Sequence, residues 1–146
     1  MENKDNQTRK EITNFRDLQF SSWVRQNLPC SFETGFRATD LDFVLYDVRK
    51  KQVMLIEVKT RNAKVKEQQR LIFNFIDFCI KKCLSNFDLK GTIFEGWTYC
   101  GFHLVTFSNT NFKDGIVKFD NEYITENDLK QVLSLGENSG CCPKIA

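Results

Sequence analysis

Residues 40–59 read DLDFVLYDVRKKQVMLIEVK. Two runs in it, Leu41 to Tyr46 and Val53 to Lys59, are rich in β-branched, aromatic and aliphatic side chains, with a polar stretch between them. That pattern predicts two strands joined by a tight turn. Side chains alternate faces along a strand, so Asp40 shares a face with Asp42, and Glu57 shares one with Lys59. A turn symmetric about Arg49 and Lys50 makes the numbers of facing residues sum to 99. Asp42 then faces Glu57, and Asp40 faces Lys59. Like charges directly opposed on a sheet are destabilising. Two opposed carboxylates on strands that are otherwise apolar on both faces call for a divalent cation, and carboxylate oxygens suit Mg²⁺ or Mn²⁺. Leu41, Phe43 and Leu45 fill one face, and Val44 and Tyr46 follow Asp42 on the other. This predicts a central strand covered on both sides.

The same residues carry a resemblance. Asp42, a strand-turn-strand interval and then Glu57-Val58-Lys59 resemble the signature of the PD-(D/E)XK nuclease superfamily. Thr39-Asp40-Leu41-Asp42-Phe43 is similar to the acidic-hydrophobic-Asp-hydrophobic form of several branches. Ile56-Glu57-Val58-Lys59-Thr60-Arg61 resembles the second half-motif of YraN-like and archaeal junction-resolvase-like members. Gln69, with Phe73 four residues on, loosely resembles the glutamine that helps order the site in RecB-like relatives. The likeness covers about residues 36–87. Leu41 stands where many members have proline.

Outward from this stretch, the 146 residues suffice for one domain with one core. A net charge of +2 says little, but its distribution says more. Between Arg49 and Arg70 lie eight basic residues against Glu57 and Glu67, an excess of six positive charges flanking the candidate site. Such a patch attracts a phosphate backbone. The six cysteines include no Cys-x-x-Cys pair, and the polar N-terminus lacks a signal peptide's apolar core, so a cytoplasmic chain with free thiols is expected. Cys79 and Cys83, four apart on a predicted helix, read as core residues rather than metal ligands. His103, in an apolar strand, reads as a packed histidine. No run approaches the roughly 20 apolar residues of a membrane span.

Residues 1–13 are expected to form a flexible N-terminus, 14–136 the nuclease-like domain, and 137–146 a flexible tail. A first helix is predicted from residue 14 or 16 to 28, ended by Pro29. A short strand is predicted within 30–37, bent at Gly35. Thr60 to Val65 reads as a basic loop. A long helix follows over 67–84, with a narrow polar stripe of Arg70, Asn74, Asp77 and Lys81. Its apolar face is wider than one sheet face needs. The surplus has two uses, packing against the first helix or a homodimer contact, and burial within the chain is favoured. Residues 101–108, GFHLVTFS, read as a buried strand, 116–124 as a small hairpin turning at Asp120-Asn121-Glu122, and 125–135 as a final helix capped by Thr125. The resemblance implies how these elements connect: a single-domain α/β, restriction-endonuclease-like core (αβββαβ), with a mixed central sheet flanked by helices.

It also implies the chemistry: Mg²⁺-dependent hydrolysis of phosphodiester bonds in nucleic acid, DNA being expected, in repair, recombination or phage and host DNA processing. Asp42, Glu57 and Lys59 would be catalytic. Asp42, Glu57 and the carbonyl of Val58 would hold Mg²⁺ or Mn²⁺. Glu33, Asp40 and Gln69 are auxiliary candidates. Asp40 has two readings, a further site carboxylate or a partner that fixes Lys59, with the second preferred. Arg61, Lys64, Lys66 and Arg70 would contact phosphates without reading sequence. The alternative is a nuclease-fold module that binds nucleic acid or protein without turnover.

Overall fold

Gln52–Lys59 is the strand on which the fold is built. In a computed structural model, which describes residues 23, 24, 26–29, 33–35 and 37–135, the chain divides into two compact units, Met1–Asp40 and Leu41–Ala146. The second is mixed α/β. Its elements run β1 (Phe43–Asp47), β2 (Gln52–Lys59), α1 (Glu67–Asn86), β3 (Thr98–Phe107), β4 (Val117–Phe119), β5 (Glu122–Tyr123) and α2 (Glu126–Leu133). They form one five-stranded sheet in the order β1-β2-β3-β4-β5. β2 and β3 run parallel with α1 as their crossover, and the other neighbours are antiparallel.

The β1–β2 register is the one the sequence predicts. Phe43 faces Ile56, Val44 faces Leu55, Leu45 faces Met54, Tyr46 faces Val53 and Asp47 faces Gln52, every pair summing to 99. The turn is set by Asp47, whose Oδ1 accepts from the amides of Arg49 and Lys50, both at 2.8 Å. This is the Asx geometry that makes aspartate a turn former.

β2, with Met54, Leu55, Ile56 and Glu57 all buried, is an interior strand, whereas β1, expected to be central, is not. β1 lies at an edge of the described sheet, and Phe43, Val44 and Tyr46 are exposed. Alternation divides the β2–β3 side chains between two layers. Met54 and Ile56 join Cys100, Val105, Val117, Phe119 and Leu129 in the main core, with Val132 and Leu133 of α2 packed against it. The opposite face carries Leu55, Glu57, Phe102 and Leu104, where Phe73 of α1 packs on Phe102 in a tilted ring pair with centres 4.8 Å apart.

Register slips by one residue between the Val53–Tyr99 and Leu55–Phe102 pairs. The extra residue falls at Cys100-Gly101, and Gly101 takes φ +102°, as a β-bulge requires. Asp120 and Asn121, at φ +51° and +73°, make the tight β4–β5 turn. Thr125 caps α2 as predicted, its Oγ1 accepting from the Asp128 amide at 3.1 Å.

The inward face of α1 is rotated from the one expected: Arg70, Asn74 and Lys81 of the polar stripe are exposed as predicted, but Asp77 is not. Gln69, Phe73, Asp77, Ile80 and Leu84 are its covered positions, while Leu71, Phe75 and Phe78 are exposed. Cys79 and Cys83 are exposed free thiols, not the core residues predicted. Asp77 turns inward because β3 offers it two donors, the Tyr99 hydroxyl at 3.0 Å and the Phe102 amide at 3.1 Å. Lys81 closes the group with an ion pair at 2.7 Å.

In the N-terminal unit, Trp23, Val24, Gln26 and Asn27 are helical, and the Leu28 amide bonds to Val24 O at 3.0 Å next to Pro29. Within the predicted strand at 30–37, Glu33 and Thr34 form a turn, and Gly35, at φ +72°, and Arg37 belong to no strand. The other four residues of that strand, and the predicted flexible ends 1–13 and 137–146, lie outside the described residues.

Candidate active site

Glu57 is 2% exposed, an unusual place for a carboxylate without compensation. It stands near the C-terminal end of β2, on the face that α1 covers. Oε1 accepts from Lys59 Nζ at 2.5 Å and from Gln69 Nε2 at 2.7 Å. Lys59 comes from the same strand two residues on, where alternation returns its side chain to the same face. Gln69 comes from the first turn of α1. Oε2 is buried and has no hydrogen-bond partner.

Asp42 lies one residue before β1 and continues the ladder with its side chain. Its Oδ2 accepts from the Val58 amide at 2.7 Å. A residue's N–H and C=O leave a strand on the same side. The Val58 carbonyl therefore also points toward Asp42, past the last β1–β2 pair at Phe43 and Ile56.

A divalent cation fits these residues. The unpartnered Glu57 oxygen is an acceptor that a protein seldom leaves buried without reason. Asp42 and the Val58 carbonyl add hard oxygens on neighbouring backbone, and Mg²⁺ is commonly held by one or two carboxylates with waters completing its shell. Among the described residues, no three His, Cys, Asp or Glu side chains group as metal ligands, so this set depends on the main-chain oxygen.

The structure brings Asp42, Glu57, Val58, Lys59 and Gln69 together. Gln69 proves to be a hydrogen-bond partner of Glu57, where its sequence position at a helix start gave only a loose motif. Glu33 and Asp40 belong to the N-terminal unit, and both are exposed. Lys59 makes an ion pair with Glu57 on its own strand. Arg61, Lys64, Lys66 and Arg70 are all exposed, on the loop after β2 and the first turn of α1.

His103 stands apart, on the opposite face of the sheet. Its Nδ1 lies 2.6 Å from Asp120 Oδ2, its Nε2 lies 2.8 Å from Cys100 O, and its ring stacks on Phe119. It is the packed histidine predicted. Burial alone would lower its pKa, but the bonds to Asp120 and to the Cys100 carbonyl outweigh burial and raise it. Asp77 is pulled the other way. Burial would raise its pKa, and the bonds from Lys81 and Tyr99 bring it below the usual value.

No family model matches the chain, and no solved structure matches it. An uncharacterized protein of Archaeoglobus fulgidus is 36% identical over 74 residues, which cover 50% of this chain and 51% of that protein. The chain thus spans about half the length of the curated relative it matches. No helix among the described residues is long and apolar enough to cross a membrane.

Proposed function

We propose that this chain is a metal-dependent nuclease with a restriction-endonuclease-like core, hydrolysing phosphodiester bonds in DNA. The observation that carries the reading is the buried Glu57 carboxylate. One of its oxygens is held by Lys59 and Gln69, the other is unpartnered, and Asp42 accepts from the amide of the next residue, Val58. Two further features support it. The acidic groups sit at the carboxyl end of β2, where open α/β sheets place their sites. An exposed basic segment follows directly, suited to a phosphate backbone.

Asp42, Glu57 and the Val58 carbonyl would hold Mg²⁺ or Mn²⁺, which when bound draws charge from the phosphate and acidifies its water. Gln69 fixes the Glu57 rotamer, so the free oxygen keeps one direction. Lys59 places an ammonium group beside the carboxylates, where it offsets negative charge developing on the phosphate oxygens. Lys64, Lys66 and Arg70 draw the nucleic-acid backbone toward the site.

The test is cleavage of labelled single-stranded, duplex, flapped and junction DNA, and of RNA, with Mg²⁺, Mn²⁺ or chelator. Wild type is expected to cut only with metal. Glu57→Gln and Lys59→Ala are expected to lose at least about 100-fold in rate, the scale of a lost charge-stabilising group. Mg²⁺ should also raise the unfolding midpoint of wild type but not of Glu57→Gln, by binding the native state alone. Wild-type protein that shifts DNA in a gel without cutting any substrate would replace this reading with that of a binding module.

A further inference from the structure

Directly after Lys59 the chain reverses in a strained turn. The Ala63 amide donates to Thr60 O at 3.0 Å, and the two residues between, Arg61 and Asn62, both hold φ +56°. Two consecutive left-handed residues match the type I′ form. Glycine enters that region freely and asparagine tolerates it, whereas a long side chain is held there at a cost of about 1 kcal/mol or more.

The turn does not stand alone. The Arg61 amide donates to Asn109 O at 2.8 Å, and the Asn62 amide donates to Phe107 O at 3.3 Å. The Asn109 loop is braced in turn. Asp114 accepts from the Asn111 amide and the Thr110 hydroxyl, both at 3.1 Å, and the Ile116 amide donates to Ser108 Oγ at 2.7 Å. β2 and β3 are parallel, with Lys59 beside Thr106, so the loops leaving both strands start from the same end of the sheet as Glu57. Main-chain bonds thus clasp them into one rim. Arg61 is exposed on it, two residues past the lysine that Glu57 engages.

Mere solvation of this turn needs no arginine, and glycine would fit its backbone better. Strain kept by surrounding bonds is a mark of functional positions. We propose that Arg61 is a substrate-binding residue of the site, held on the rim to grip a backbone phosphate of the nucleic acid with its planar guanidinium. The inference rests on the nuclease reading and divides the basic segment by role. Arg61 takes a phosphate in a fixed, two-pronged geometry, which lysine cannot reproduce. Lys64, Lys66 and Arg70 act as exchangeable point charges.

The experiment compares the full chain as wild type, Arg61→Gly, Arg61→Lys and Asn62→Gly. Three readouts are taken: unfolding midpoint, affinity for labelled DNA across a salt series with Ca²⁺ in place of Mg²⁺, and cleavage with Mg²⁺. Both glycine variants are expected to melt higher, since each relieves a left-handed residue. Asn62→Gly should bind and cut like wild type. Arg61→Gly should lose about tenfold in affinity and about one unit of salt slope, the signature of one lost phosphate contact. Arg61→Lys should restore the slope and not the affinity. Arg61→Gly that binds and cuts like wild type overturns the proposal and leaves the nuclease reading intact. Arg61→Lys indistinguishable from wild type also overturns it, making Arg61 one more steering charge. Wild-type protein that neither binds nor cuts nucleic acid overturns both readings together.

Discussion

Glu57 on β2 and His103 on β3 are buried charged or ionisable groups, and they are satisfied in opposite ways. Glu57 has two donors on one oxygen and none on the other. His103 has an oxygen acceptor at each ring nitrogen, so both bonds are satisfied together when the ring is protonated, which favours the cation. Its folded pKa is raised, so its contribution to stability is complete below the unfolded value of about 6.5. The contribution is lost as pH rises through the folded pKa. The unfolding midpoint is therefore expected to fall as pH rises above that unfolded value. Asp120→Asn should flatten that fall, which melts across a pH series would show. An unchanged slope in Asp120→Asn would remove His103 as its source.

At the scale of elements, α1 is attached to the sheet through polar anchors as well as apolar ones. Phe73 supplies one buried ring, and Asp77 accepts from Tyr99, Phe102 and Lys81. Asp77→Ala strands the Phe102 amide and the Tyr99 hydroxyl, and is expected to cost about 2–3 kcal/mol in denaturant unfolding. A cost under about 0.5 kcal/mol, the level of an ordinary surface change, would mean that the anchors are idle. The β3 bulge is a second element-scale device. A Cβ on Gly101 would come 3.1 Å from His103 Nε2, at a φ that only glycine adopts easily. Gly101→Ala is expected to destabilise by about 1–3 kcal/mol. Its melt should also lose part of the pH dependence, because the His103–Cys100 bond spans the same bulge.

At the scale of the molecule, the second unit keeps a large apolar surface outside its core. Leu71 is 70% exposed, Phe75 59% and Phe78 57%. Phe75→Glu should leave the unfolding free energy within about 0.5 kcal/mol of wild type, as at a surface position. It should also reduce self-association in sedimentation at high concentration, because contiguous apolar faces mediate contacts between proteins. A large loss of stability in Phe75→Glu would instead mean that the side chain is covered in solution.

The sequence by itself determined the local features. Alternation and turn chemistry set the β1–β2 register to the residue, and helical spacing placed α1 within two residues of its end. Capping chemistry placed α2, and the opposed pair Asp42 and Glu57 singled out a candidate site. These depend on neighbours a few positions apart, which a linear pattern records. What only the tertiary structure decided depends on groups far apart in the chain. Which face of α1 turns inward was set by the Tyr99 hydroxyl and Phe102 amide reaching Asp77, a pairing that outweighs the amphipathic pattern. That β1 lies at an edge of the described sheet follows from strand order, and a strand apolar on both faces does not encode its neighbours. The links from Gln69 to Glu57 and from Arg61 to Asn109 join segments that meet only because β2 and β3 run parallel and end together.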